Sequence, residues 1–276
     1  MNKKYCLKHS LKTLQAPFFI MAETSEQLIG EAVIHFNASL DMIQKGKLED
    51  ALETLKNAEK AASEAEDEAV LLHILELKGK ILESLSRFKE ALETYTYILK
   101  TNEKLFDTYP EKELCFDILE ANLNNIGNLG NIFRRKGNFQ FSKQSYETGL
   151  EICHKRLESQ PENEFCRTYA GNTLNNLGEL LAEKGQTEEA KVNYKKALEV
   201  YEKLLKDYPG DLEHLSDKVM ALQNLGILFY ETGQKEEAKK NLKKALEILD
   251  DLNKSDPENK KIEEELSFTR KKLETL

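Results

Sequence analysis

The chain has 276 residues, of which 32% are charged, with no Trp and Pro held to 5. Its 49 acidic against 40 basic residues leave a net charge of −9, which argues against phosphate backbones and anionic lipid as partners. The Lys, Glu, Leu and Ala content favours long helices, and no apolar run approaches the ~20 residues of a membrane span.

Residues 1–20 carry Lys3, Lys4, Lys8 and Lys12 and no acid. The apolar stretch that follows is broken by Gln15 and Pro17, so it makes a poor secretory signal. Met21 reads as an alternative start, with Thr24 or Ser25 capping the first helix. Residues 1–24 are therefore expected to be a tail that is foreign or loose; a targeting role is the alternative.

From there the chain repeats. Leu174 to Leu198 reads LNNLGELLAEKGQTEEAKVNYKKAL, and Leu222 to Leu246 reads LQNLGILFYETGQKEEAKKNLKKAL, 48 residues on. A third copy ends at Leu150. Each copy has the three- and four-residue apolar spacing of a helix, a glycine turn, and a second helix. Residues 25–66 form the first pair, with Ile29, Val33, Phe36, Leu40 and Ile43 before Gly46, and Ala51, Leu55 and Ala58 after it. Residues 67–110, 111–161, 162–209 and 210–257 form four more, and residues 258–276 form a capping helix. Ile262, Leu266, Phe268 and Leu273 give that helix an apolar side for the fifth pair.

Within the copies the same types recur in phase. Leu129-Gly130, Leu177-Gly178 and Leu225-Gly226 are each followed by Phe133, Leu181 or Phe229. The turn glycines are Gly137, Gly185 and Gly233. Ser142, Ala190 and Ala238 come next, then Tyr146, Tyr194 and Leu242, then Gly149, Ala197 and Ala245. Small residues on both helices allow close approach, and the tyrosines are expected to wedge against the neighbouring pair.

This series resembles the tetratricopeptide repeat. The resemblance implies an all-α, right-handed solenoid of antiparallel helix pairs, whose first helices line a concave groove. The usual repeat is ~34 residues, so a 48-residue step lengthens both helices by about two turns, with little drift of the buried face. The LNNL motif is similar to that of kinesin light chains. The third pair departs from the pattern. Pro110 to Leu129 is 19 residues, where Pro161 to Leu177 and Pro209 to Leu225 are 16, so its first helix is expected to be overlong or distorted.

Chemistry is sparse. His9, His35, His73, His154 and His214 show no metal-binding spacing, and no glycine-rich phosphate loop occurs. Cys6, Cys115, Cys153 and Cys166 form no CxxC pair and read as reduced thiols. Cys153 and His154 are adjacent on a helix, so they diverge by about 100° and make a poor dyad. The expectation is a non-catalytic protein without cofactor or metal, cytoplasmic, binding a protein or extended peptide and neither nucleic acid nor membrane. Self-association in a larger assembly is the rival reading.

The groove residues follow from the resemblance. In the third pair they are Asn124, Asn128, Asn131, Arg134 and Arg135. In the fourth they are Asn172, Asn175, Asn176, Glu179 and Glu183. In the fifth they are Met220, Gln223, Asn224, Ile227, Tyr230 and Glu231. Asn128, Asn176 and Asn224 recur at one per repeat, similar to the asparagine ladder of O-GlcNAc transferase. Such a row can grip a peptide backbone or bond its own scaffold. Arg134-Arg135-Lys136 either docks an acidic segment or complements a helix dipole. The family's carboxylate clamp for chaperone tails needs Lys and Asn in one first helix, Asn in the next, and Lys and Arg in the third; this chain has Gly127 and Asn131, then Asn176, then Met220 and Asn224, so the cations are missing and that ligand is not expected.

Overall fold

Six tight turns join the helices by one device. In each, a residue in the left-handed region ends one helix, and the next backbone N–H reaches back to the carbonyl five residues earlier. Gly46, Gly137, Gly185 and Gly233 hold φ between +70° and +76° at four of these turns. Asn138 N to Phe133 O at 2.8 Å and Gln186 N to Leu181 O at 2.9 Å close two of them. The other two place Glu66 and Ser86 at φ 56° and 60°, where a side chain costs about 1–2 kcal/mol.

The computed structural model describes residues 23–108 and 113–276. The readings of residues 1–20 and of Met21 lie outside these. Among the described residues there are eleven helices and no strand. They fall into two units, Met1–Asn122 and Leu123–Leu276.

In the first unit, α1 (Glu23–Gln44) packs on α2 (Leu48–Glu64), α2 on α3 (Glu68–Ser84), and α3 on α4 (Phe88–Thr108). Ser25 lies inside α1, and its hydroxyl donates to the Ala65 carbonyl instead of capping the helix. Asp67 does cap α3, accepting from Val70 N at 2.9 Å. Ala51, Leu55, Ala58, Ala91 and Tyr95 are wholly buried. Ile29, Val33, Phe36, Leu40 and Ile43, expected as core, are only half-buried. The unit also takes in the opening of α5 (Glu113–Arg135), where the Asn102 amide donates to the Cys115 carbonyl at 2.8 Å.

The second unit continues with α6 (Phe139–Ser159), α7 (Glu164–Glu183), α8 (Thr187–Asp207), α9 (Leu212–Glu231), α10 (Lys235–Ser255) and α11 (Lys260–Glu274). Successive helices from α6 to α11 pack on one another. The second helices α6, α8 and α10 are 21 residues each, and the first helices α7 and α9 are 20. α5 runs unbroken for 23, so the inserted residues lengthen it as expected. Apolar clusters fill the interior among the described residues, and two of them lie wholly in this unit. The larger is centred on Tyr146, Leu177, Tyr194, Tyr201 and Phe229, and the smaller on Val219, Leu222, Ala245, Leu249 and Leu266. Leu266 seats the cap, but Phe268 does not; it is 41% exposed.

The packing seats each ring over the glycine of its own pair, and Tyr146 also joins the apolar cluster of the pairs that follow. A Cβ at Gly130 would stand 2.5 Å from Tyr146 Cε1, and one at Gly178 would stand 2.6 Å from Tyr194 Cε1. Gly79 and Tyr95 repeat the arrangement in the first unit. The glycine is therefore space for a ring, and the ring is what fills the gap between paired helices. In the fifth pair Leu242 takes the ring's place over Gly226.

Gly149 finds its reason the same way. A Cβ there would overlap the Tyr169 hydroxyl, so a costly helix glycine makes room for an aromatic side chain from α7. Ser142, where alanine is usual, satisfies its hydroxyl by donating to the Gly130 carbonyl at 2.9 Å.

Candidate functional site

The side chains expected in a groove lie on the first helices of the second unit, and capping residues set where those helices begin. Asn163 Oδ1 accepts from Cys166 N at 2.8 Å and starts α7. Asp211 Oδ1 accepts from His214 N at 2.9 Å and starts α9. With these starts in register, the same positions of α5, α7 and α9 come to face one another across the seams.

Much of the expected set is consumed there. The Arg134 guanidinium of α5 reaches both Glu179 and Glu183 of α7, the latter at 3.2 Å. The Asn224 amide of α9 donates to Glu179 Oε1 at 2.9 Å and to Asn175 Oδ1 at 3.1 Å. Asn175 is itself buried. A chain of polar contacts thus runs from α5 through α7 to α9. Burial opposes the Arg134 charge, but Glu179 and Glu183 beside it prevail and hold its pKa above the usual guanidinium value.

Two further amides serve the tyrosines. Tyr146 donates to Asn131 Oδ1 and Tyr201 donates to Asn172 Oδ1, each at 2.6 Å. Burial raises both phenols above their ordinary pKa, so both remain neutral donors. Gln223, also buried, turns to the cap and donates to Glu265 Oε2 and Thr269 Oγ1, both at 2.9 Å. Sequence reasoning had no signal for that last contact, because a glutamine at a helical step does not announce its partner.

The remaining side chains of the set face outward. Asn124, Asn128 and Arg135 are exposed on α5, and Asn176 is half-buried on α7. On α9, Met220 and Tyr230 are 43% and 40% exposed, with Ile227 half-buried between them. Glu231 is exposed at its end. Arg134 is thus a bonded seam residue, whereas Arg135 and Lys136 lie at the exposed C-terminus of α5. The asparagine row is accordingly mixed. Asn128 and Asn176 are accessible, and Asn224 is tied to the scaffold.

Polar side chains of α7, α8 and α9 also meet near His214. His214 is 3% exposed, with its ring nitrogens 3.5 Å from Glu164 Oε1 and Asp211 Oδ1. Burial raises the Asp217 carboxyl above its usual range, against an opposing hydrogen bond from Asn172. Arg167 bonds Asp207 at 2.5 Å on the same side. Among the described residues no group of His, Cys, Asp and Glu has the geometry of a metal site. Cys115, Cys153 and Cys166 are buried thiols; Cys153 hydrogen-bonds Cys166, and burial pushes its pKa well above the usual value. Buried Cys153 and exposed His154 form no dyad. Among the described residues no helix is long and apolar enough to cross a membrane.

The family described as the tetratricopeptide repeat matches residues 169–251. No functionally curated protein matches the chain. Among solved structures, BtubC (BKLC) from P. vanneervenii is 19% identical with a TM-score of 0.48, over 83% of this chain and 92% of that one. A candidate kinesin light chain from Podosopora anserina, built of nearly identical repeats, is 16% identical with a TM-score of 0.45, over 86% and 99%. MamA from Desulfovibrio magneticus RS-1 is 17% identical with a TM-score of 0.40, over 79% and 94%.

Proposed function

We propose that this chain, which matches the tetratricopeptide-repeat family over residues 169–251, is a non-catalytic adaptor that holds an extended segment of another protein. The segment lies along the outward face of α5, α7 and α9. One observation carries the reading. Asn131, Asn172, Asn175, Glu179 and Asn224 are committed to the scaffold, yet Asn124, Asn128 and Asn176 beside them remain accessible. A side-chain amide offers a donor and an acceptor together, which is what the backbone of an extended chain requires. The seam bonds hold the helices that carry these amides, so little ordering is left to oppose binding.

A photoreactive amino acid placed at Asn128 or Asn176 in cells, with one at Val192 on α8 as control, tests the proposal. The expected result is a discrete adduct from the two first-helix sites, weakened by alanine at the other amide. Adducts from Val192 alone would place binding elsewhere. A concentration-dependent dimer by light scattering, in which Asn128 and Asn176 become protected, would favour a self-associating structural subunit.

A further inference from the structure

The outward row changes chemistry along the chain. Six and two residues before the packing glycine, or the residue in its place, successive first helices carry Asn124 and Asn128, Asn172 and Asn176, Met220 and Asn224, then Phe268 and Lys272. The amide row thus ends in two large apolar side chains and a cation. Met220 and Phe268 are 43% and 41% exposed. Gln223 of α9 lies one turn beyond Met220, and its bonds to Glu265 and Thr269, which flank Phe268, tie α9 to α11 beside the two apolar groups, which hold the same position of successive first helices. Lys272 Nζ stands 5.6 Å from the centre of the Phe268 ring. Glu264, one turn on the other side of Phe268, is exposed, so the patch has a negative and a positive edge.

We infer that this end of the face anchors an internal partner segment bearing a large apolar side chain beside an Asp or Glu side chain. The inference rests on the function proposed for the same face and names the chemistry of its ligand. Met adapts its shape to a guest, and an aromatic ring offers area at low entropic cost, so the pair suits one bulky side chain. The ammonium of Lys272 lies beside that guest and calls for a carboxylate, while Glu264 repels one at the other edge. Charge therefore sets the direction in which the segment lies. A second copy of the chain is a poorer occupant. Two side chains exposed to this degree bury far less than the roughly 1,200 Å² that a stable dimer needs.

The test pans short random peptides against the full chain, in one library with internal display and one with free C-termini. Enriched peptides should share an aromatic or long aliphatic residue with a nearby carboxylate. Enrichment in both libraries is the expected result; enrichment only with free C-termini would give Lys272 to a terminal carboxylate and overturn the inference. Met220→Ser with Phe268→Ser should lower affinity by about tenfold or more, and so should Lys272→Glu alone, with helicity unchanged by circular dichroism. If peptides bind the double variant as well as the parent, the anchor is refuted and the adaptor reading stands. If no peptide binds either protein, both fall. A dimer of the parent chain that the double substitution abolishes would give the patch to a second copy and overturn the inference.

Discussion

The two units obey one packing rule and present different faces. In the first, Gly79 lies under Tyr95; in the second, Gly130 lies under Tyr146 and Gly178 under Tyr194. Yet at the two outward positions of the row α1 carries Val33 and Asn37, and α3 carries His73 and Leu77, where α5 and α7 carry four asparagines. The turns differ as well. Gly137, Gly185 and Gly233 close the second unit's pairs without strain, while the first unit places Glu66 and Ser86 in the left-handed region. The lesson is that the interior of a repeat is constrained by volume, whereas the row positions change chemistry from pair to pair, some bonded within the scaffold, as Asn172 is, and some exposed, as Asn128 is.

The shared rule can be broken most severely at the glycines. Gly178→Ala places a methyl group against the Tyr194 ring and should lower stability by about 1–3 kcal/mol in urea denaturation. Gly79→Ala should do the same in the first unit. Gly30, also helical, has open space where a methyl group would stand, with nothing within 4 Å, so Gly30→Ala should stabilise by about 0.5–1 kcal/mol. Equal costs at Gly30 and Gly178 would refute the ring-filling account.

The seam of the second unit is the next largest effect. Arg134→Ala leaves Glu179 and Glu183 without their cation and should cost about 1 kcal/mol, since the pair is only partly buried. The loss should shrink as salt is raised. A salt-independent loss would mean that Arg134 acts through packing of its stem.

The difference between the turns predicts gains. Glu66→Gly and Ser86→Gly should each stabilise the chain by up to about 1 kcal/mol, by relieving φ 56° and 60°. Replacing Gly185 by Ala should have the opposite sign. Thermal unfolding of the three variants decides this.

The smallest expected effect is electrostatic. Burial raises the Asp217 carboxyl, so the folded chain favours its protonated form. That contribution is complete below the carboxyl's unfolded pKa and is lost as pH rises through the folded one. Asp217→Asn keeps an acceptor for Asn172 and should flatten the pH dependence of the urea midpoint across that window. An unchanged slope would show that Asp217 does not titrate between the two states.

Some of this was legible in advance. The glycine turns and the overlong α5 followed from Gly at fixed intervals and from a count of residues between Pro110 and Leu129, because both are local constraints. The seat of each tyrosine over the glycine of its own pair was not legible, since a periodic aromatic shows that something is filled but not which glycine it covers. Nothing along the sequence explains a glycine at position 149, in phase with Ala197 and Ala245; the Tyr169 ring against it does. The asparagines were the hardest. Asn128, Asn176 and Asn224 are identical in pattern, yet only Asn224 is bonded across a seam, because only its neighbours include Asn175 and Glu179 at the right distance.

Periodicity and residue size, which act through the chain's own helical geometry, were enough to determine that this protein is a stack of helix pairs and where each turn falls. Which polar groups are consumed and which remain for a partner was decided only when helices distant in sequence came together. A hydrogen bond depends on separations of tenths of an ångström between residues some 45 positions apart, as in Arg134 with Glu179, and no pattern along one strand of sequence encodes that distance.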